Sequence, residues 1–194
     1  ELIANAERVV RLTHAFNPVQ RQALEQCVAV MSRGMAEYQE DPSVQGLATQ
    51  AEMDRYCYFV AGVVGEMLTE LFCDHCDELS SERDEMLQLA VSFGQGLQMT
   101  NILKDIWEDR RRGACWLPRE VFAQQGLDLA TLDTRIHAVQ FAAAMDELIG
   151  IARLHLDNAL TYSLRIPPAE TGIRRFCLWA IGMAAMTLRK VHAH

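Results

Sequence analysis

The chain has 194 residues, of which 50% are hydrophobic, so it is long and apolar enough to fill one domain with a sizeable core. Its formal net charge of -8 would repel a phosphate backbone, and its arginines are too scattered to form a basic face, which excludes nucleic acid as an expected partner. Residues 1–20 carry no export signal, so the six cysteines are expected to be reduced thiols of a cytoplasmic protein.

Proline positions and apolar spacing together predict an all-α chain. The five prolines each fall where a helical pattern stops or starts. Between them, apolar residues recur every three or four positions, and no stretch alternates convincingly like a strand. We expect a single helical bundle over residues 1–194. The predicted helices lie at about 2–15, 18–39, 50–73, 81–111, 134–164 and 170–190.

The most apolar run, residues 176–188, is shorter than the roughly 20 residues that a bilayer-spanning helix needs, and arginines directly precede it. It is predicted to be a buried helix. We therefore expect no transmembrane segment.

Residues 56–68, YCYFVAGVVGEML, form an apolar helical stretch that contains Gly62 and Gly65. Each glycine costs up to about 1 kcal/mol in a helix relative to alanine. Close approach of a neighbouring helix or of a long apolar ligand would explain them, and ordinary helix packing is the simpler of the two. Gly94 and Gly96 raise the same question on a later helix and favour a tunnel for an apolar ligand.

Residues 101–118, NILKDIWEDRRRGACWLP, are dense in charge. Asn101, Asp105 and Asp109 are spaced at four and form one polar ridge on a helix, which Gln98 extends by a turn. Carboxylates on one face repel each other unless a cation compensates them. A hard divalent cation, magnesium above all, prefers such oxygen ligands.

Other interpretations of these residues stay open at this point. The ridge is also what a solvated helix end would look like, with Glu108 paired to Arg112 and Asp105 paired to a neighbouring lysine or arginine. A di-iron bundle would need Glu-x-x-His pairs, and no glutamate has a histidine three residues later. The segment from Cys73 to Cys76 could hold zinc, but there is no second Cys-x-x-Cys, so reduced thiols are favoured.

The two unusual stretches resemble the squalene and phytoene synthase family, whose members join two prenyl diphosphates head to head. YCYFVAGVVGEML is similar to the family signature Tyr-Cys-x-x-Val-Ala-Gly-x-Val-Gly, and GLQMTNILKDIWEDRRRGACWLP is similar to its second aspartate-rich signature. The similarity covers nearly all of residues 20–190. It implies an isoprenoid-synthase-type helical bundle with a central apolar cavity and a magnesium-dependent prenyltransferase.

The resemblance also implies roles for individual residues. Asp105 and Asp109 match catalytic aspartates that hold magnesium-bridged diphosphate, and Asn101 joins them on the metal side. Tyr56 matches a catalytic tyrosine near the reacting carbons. The positions matched to substrate binding are Val60, Val64, Gly65, Leu68, Ala90, Leu97, Gln98, Asn101, Lys104 and Arg112.

Three departures from the family pattern stand out. Lys104 replaces a frequent arginine, which keeps the charge but loses the bidentate fork. Ala114 replaces another arginine, so one phosphate contact is missing. Residues 1–50 contain a single aspartate, Asp41, so the family's first aspartate-rich motif is not found there. We expect the family's N-terminal helices and last C-terminal helices to lie outside residues 1–194.

The resemblance leaves the substrate open between farnesyl diphosphate, giving squalene or dehydrosqualene, and geranylgeranyl diphosphate, giving phytoene. Residues 34–38, GMAEY, are more similar to squalene synthases, and Met67, Phe93 and Met99 would shorten a tunnel. We therefore favour farnesyl diphosphate, condensed through presqualene diphosphate.

Reduction of the product to squalene would require NADPH, for which the chain has no glycine-rich fingerprint. Peripheral membrane association would suit release of an apolar product. A different class of function also remains: a non-catalytic helical fragment or subunit that kept the scaffold. The repelling carboxylates of the ridge favour the enzyme.

Overall fold

The computed structural model describes residues 3–39 and 44–193, and these residues form helices joined by short loops. Within these two ranges there is no β-strand, and Leu47 and Pro118 form one isolated parallel bridge. The all-α prediction is confirmed. After a 3-10 turn at Ile3–Asn5, the helices are α1 Ala6–Thr13, α2 Pro18–Gln39, α3 Gln50–Cys57, α4 Val63–His75, α5 Asp77–Ser80, α6 Arg83–Arg111, α7 Arg119–Gln124, α8 Ala138–Arg165 and α9 Thr171–His192.

The predicted helices differ from the observed ones mainly at their ends. The helix predicted at 134–164 begins only at Ala138, because Asp133 draws the backbone N–H and guanidinium of Arg135 into a local turn. The short helices α5 and α7 were not predicted, since four and six residues are too few to show a helical period. Residues 40–43 between α2 and α3, which include Asp41, lie outside the described residues.

The helix predicted at 50–73 is continuous but not uniform. Between α3 and α4 the chain makes a wider π-helical turn over Tyr58–Gly62. Such a turn inserts one extra residue into the helical repeat and is often found at functional sites. It rotates the faces of α4 relative to those of α3, which the spacing of apolar residues did not predict.

The start of α3 is set by a side-chain cap. Thr49 Oγ1 accepts a hydrogen bond from the Glu52 backbone N–H at 3.2 Å, and Glu52 Oε2 accepts one from the Ala48 backbone N–H at 2.6 Å. The two bonds satisfy amides that would otherwise lack a partner at the helix end. They position the helix that carries Tyr56.

Replacing Thr49 by alanine is expected to lower the free energy of unfolding by about 1 kcal/mol, because the cap acceptor is lost. Denaturant unfolding of the two proteins measures this difference. Ser32→Ala is the matched control: its hydroxyl bonds back to the Val28 carbonyl inside α2, where removal of a hydroxyl has little effect. Equal losses for the two variants would contradict a capping role for Thr49.

The long helix α6 is the centre of the fold and packs against α4, α8 and α9. Two clusters of buried side chains surround it. One holds Tyr56, Ile102 and Ile106 together with the N-terminal half of α8. The other holds Phe93 and Tyr162 with residues of α4 and α9.

Two glycines allow α6 to approach the preceding helical segment closely. A Cβ atom at Gly65 would lie 2.3 Å from the Ala90 carbonyl oxygen, and one at Gly94 would lie 2.3 Å from the Ala61 carbonyl oxygen. Gly96 is similarly close to the Cβ atom of His155, at 2.8 Å. Close helix approach therefore accounts for these glycines.

One helical stretch of the described residues, Gln50–His75, is long and apolar enough to cross a membrane, with a mean hydropathy of 1.3 over its best window. Core helices of water-soluble proteins share these properties. Here the stretch packs against α6 through Gly65. Length and composition alone do not establish a membrane span.

Candidate active site

A cavity of about 350 Å³ lies between the π turn, α4, α6, α8 and α9. Its wall contains most of the residues expected to bind substrate. These are Val60, Val64, Gly65, Leu68, Ala90, Leu97, Gln98 and Asn101. The remaining wall is also largely apolar, and its further residues are Ala61, Phe72, Phe93, Gly94, Tyr162, Phe176, Cys177 and Ala180.

The polar side chains of α6 mark one end of this cavity. Gln98 and Asn101 line it, while Asp105 and Asp109 continue the same ridge of α6 beyond the lining. Asn101 is exposed, and the two aspartates are half-buried. An apolar cavity thus opens beside a row of oxygen-bearing side chains.

Lys104 and Arg112 do not line the cavity. Lys104 Nζ lies 3.2 Å from Asp105 Oδ2, and Arg112 is paired with Glu108. These are the two ion pairs of the solvated-helix interpretation, and such exposed pairs contribute little to stability. The neighbouring Arg110 also has a partner: its guanidinium donates a hydrogen bond to the Leu129 backbone carbonyl at 2.6 Å.

The surroundings of Asp109 shift the pKa of its carboxyl group. Burial raises the pKa of its carboxyl group, and the charge of Asp105 raises the pKa further, against the opposing effect of Arg112. Burial and the neighbouring Asp105 carboxylate thus disfavour the charged form of Asp109. A bound cation would relieve this cost.

The ridge offers two carboxylates and one amide as candidate oxygen ligands for a metal ion. In the part of the chain that the structure describes, no three His, Cys, Asp or Glu side chains cluster closely enough to hold a metal ion. Two carboxylates and the Asn101 amide leave coordination positions for phosphate oxygens and water, as magnesium prefers.

Comparison with known proteins places the chain in a family. A model of the squalene/phytoene synthase family matches residues 1–194. The chain belongs to this family. It is 31% identical over 199 residues to squalene synthase ERG9 of Candida albicans, an alignment that covers 98% of this chain and 43% of that protein. It is 30% identical over 175 residues to squalene synthase 1 of Arabidopsis thaliana, with coverages of 86% and 40%.

Solved structures show the same fold. The structure of TcSQS with the ligand BPH1237 matches with a TM-score of 0.83 at 24% identity, covering 100% of this chain and 55% of that one. Squalene synthase HpnC from Alicyclobacillus acidocaldarius matches with a TM-score of 0.69 at 19% identity, with coverages of 86% and 60%. The chain therefore spans less than half the length of the curated relatives it matches, and somewhat more than half of these structures.

Tyr56, the tyrosine of the first family signature, lies in a buried aromatic cluster. The Trp116 ring stacks on it at 4.3 Å with an interplanar angle of 7°, and Tyr38 meets it edge-on at 5.1 Å. Burial is the main reason that the pKa of Tyr56 rises to about 12, with a further contribution from Asp109. Tyr56 is thus a neutral phenol at physiological pH, but it does not line the cavity itself.

Tyr38 and Trp116 were not predicted as part of the site. Both are far from Tyr56 in sequence, so no local spacing links the three rings. Met67 and Met99 were expected to shorten the tunnel, and for both this was wrong. Met67 lines a small cavity beside α2, and Met99 points into the core on another face of α6, whereas Phe93 does line the cavity that ends at Gln98 and Asn101.

Tyr56→Phe in the complete protein is expected to leave the fold and substrate KM nearly unchanged but to lower kcat by at least about tenfold, because the ring still stacks on Trp116 while the phenol is lost. Steady-state kinetics and identification of any accumulated intermediate measure this. Tyr58→Phe is a matched control, since Tyr58 bonds to Glu66 and not to Trp116. An unchanged kcat would reduce Tyr56 to a packing residue.

The cysteines form no second site. All six are unpaired in the structure, and Cys73 is buried at the end of α4 with Cys76 half-buried. Within residues 3–39 and 44–193 no cluster suitable for zinc includes them.

Proposed function

We propose that this chain supplies a metal-binding ridge and a prenyl cavity to an enzyme that joins two prenyl diphosphates head to head. The observation that carries the proposal is the apolar cavity whose polar end, at Gln98 and Asn101, continues into Asp105 and Asp109. A prenyl diphosphate has the same division into a long apolar tail and a charged head. Family membership supports this reaction class.

The proposed roles follow from the chemistry of the walls. Val60, Val64 and Leu97 hold the prenyl chain and exclude water, which would otherwise quench a carbocation. Gln98 and Asn101 orient the diphosphate at the cavity end. Asp105 and Asp109, with Asn101, would hold magnesium. When bound, magnesium neutralises the charge that develops on the leaving diphosphate.

Lys104 and Arg112 would contact phosphate only after exchanging partners. Their present partners are Asp105 and Glu108, and both pairs are exposed enough to open at low cost. Binding of magnesium at Asp105 would compete with the Lys104 ion pair. We propose that Lys104 then turns from the carboxylate to the diphosphate.

We propose farnesyl diphosphate as the substrate and presqualene diphosphate as the intermediate, with squalene or dehydrosqualene as the product. The Candida albicans and Arabidopsis thaliana relatives are squalene synthases, which favours this choice over phytoene synthesis from geranylgeranyl diphosphate. The limited cavity volume, with Phe93 in its wall, is consistent with the shorter chain. NADPH is the proposed reductant if squalene is formed.

The apolar product also supports a proposal about location. Squalene and dehydrosqualene partition into lipid, so release is easiest beside a membrane. We propose a cytoplasmic protein that associates peripherally with the membrane. The alternative of a non-catalytic helical module has less support, because Asp105 and Asp109 repel each other on one helix face and such a module has no physical reason to retain both.

The deciding experiment supplies the complete protein containing this chain with farnesyl or geranylgeranyl diphosphate separately, with magnesium and with or without NADPH. Chromatography and mass spectrometry identify the hydrocarbon. Squalene formed with NADPH, or dehydrosqualene formed without it, supports the proposal. Phytoene as the dominant product would overturn the farnesyl assignment, and no turnover of either substrate would overturn the reaction class.

A further inference from the structure

The cavity ends, on the side away from Gln98 and Asn101, against a buried cluster. Ala90, Phe93, Tyr162 and Cys177 belong both to the cavity wall and to this cluster. Further cluster members that do not line the cavity include Leu79, Met86 and Ile166, each at most 1% exposed. The end wall is therefore backed by packed side chains, which resist displacement.

Tyr162 is the largest side chain shared by the wall and the cluster. Its ring meets Phe93 edge-on at 5.8 Å, and its hydroxyl lies 2.9 Å from Thr69 Oγ1. Thr69 Oγ1 donates its single proton to the Gly65 carbonyl at 2.9 Å, so Tyr162 must be the donor in the bond between the two hydroxyls.

This bond ties α8 to α4 across the end of the cavity. Thr69 and Tyr162 are 0% and 2% exposed, so water cannot replace either partner without opening the cluster. Moving the ring aside would leave a buried hydroxyl without a partner, which is costly. The ring of Tyr162 is thus held in place more firmly than packing alone would achieve.

The position of the Tyr162 ring would limit the length of a chain bound in the cavity. From the helical rise per residue, the distance along α6 from Asn101 is about 12 Å to Phe93, which the Tyr162 ring contacts, and about 16 Å to Ala90. A prenyl chain with its diphosphate beside Asn101 would run along this stretch of α6 towards Tyr162. A chain longer by one isoprene unit would have to displace the ring or fold back.

We propose that Tyr162, held by Thr69, is the specificity-determining residue that limits the bound prenyl chain to farnesyl length. This inference rests on the proposed function, because it assumes that the cavity binds a prenyl chain. It adds a residue of α8 outside both signature stretches.

The test compares Tyr162→Ala with Tyr162→Phe in the complete protein. For each, kcat/KM is measured with farnesyl and geranylgeranyl diphosphate. Tyr162→Ala is expected to raise the geranylgeranyl-to-farnesyl ratio by at least about tenfold, the scale on which hydrophobic pockets discriminate chain length. Tyr162→Phe keeps the ring but loses the hydrogen bond to Thr69, so it should raise the ratio by less than Tyr162→Ala does. Leu164→Ala, on the exposed side of α8, is the control for truncation of that helix.

A binding measurement gives a second readout that does not depend on turnover. Calorimetric titration with farnesyl and geranylgeranyl thiodiphosphate should show the same shift in relative affinity for Tyr162→Ala. If the Tyr162→Ala variant does not fold, the Tyr162→Leu variant is measured in its place. Suppose the wild-type enzyme uses farnesyl diphosphate and the folded Tyr162→Ala or Tyr162→Leu variant keeps the wild-type geranylgeranyl-to-farnesyl ratio. That result overturns the chain-length role alone. A wild-type protein that neither binds nor turns over either compound overturns the proposed function and this inference together.

Discussion

Asp109→Asn in the complete enzyme is expected to lower turnover by at least about a hundredfold while leaving thermal stability unchanged or higher. The loss of rate follows because the amide removes one of two carboxylates available to a metal-bridged diphosphate. Stability should not fall, since burial and Asp105 both raise the pKa of Asp109 and so disfavour its charge in the folded protein. Asp105→Asn is expected to have a similar effect on turnover.

Glu108→Gln is the matched control for this prediction. Glu108 lies next to Asp109 in sequence but pairs with Arg112 on an exposed surface of α6. Its replacement removes the same charge from the same helix and should change turnover little. Steady-state kinetics and thermal unfolding without metal compare the variants. Unfolding of Asp109→Asn would show that this aspartate is structural, and equal activity losses at Glu108 would indicate a general charge effect.

Gly94→Ala is expected to destabilise the fold by about 1–3 kcal/mol, the usual cost of an overpacked core position. The added Cβ atom would lie 2.3 Å from the Ala61 carbonyl oxygen, so α6 and the π turn would have to move apart. The gain in helix propensity from alanine, up to about 1 kcal/mol, offsets only part of this cost. The same movement would disturb the cavity wall, because Gly94 and Ala61 both line it.

Gly150→Ala tests whether the effect comes from helix contact or from loss of a glycine. Gly150 is exposed in α8, and a Cβ atom added there would meet no other atom within 4 Å, so alanine at this position should stabilise the protein slightly. Thermal unfolding measures both variants, with about 2–4 °C expected for each kcal/mol in a chain of this size. Equal unfolding temperatures of Gly94→Ala and Gly150→Ala would contradict the close approach of α6 to the π turn at Gly94.

The helical class and the ridge follow from residue spacing alone, and the family resemblance predicted half of the residues that line the cavity. Helical periodicity is local, so Asn101, Asp105 and Asp109 had to share one face of α6 wherever the helix packs. The signature stretch likewise placed Val60, Val64 and Leu68 at intervals of four, and these residues line the same cavity. These features depend on spacing within single elements, which a sequence displays directly.

The residues that complete the site from distant parts of the chain depend on how the helices pack. Tyr162, Phe176 and Cys177 reach the cavity because α8 and α9 pack against α6, and Trp116 stacks on Tyr56 because the loop after α6 folds back. The π turn at Tyr58–Gly62 also shifts the faces of the helix it interrupts. Met67 lines the small cavity beside α2, which is visible only once α2 and α4 are packed together. These arrangements depend on contacts between helices and loops. The apolar spacing within one helix does not reveal the free energy of those contacts.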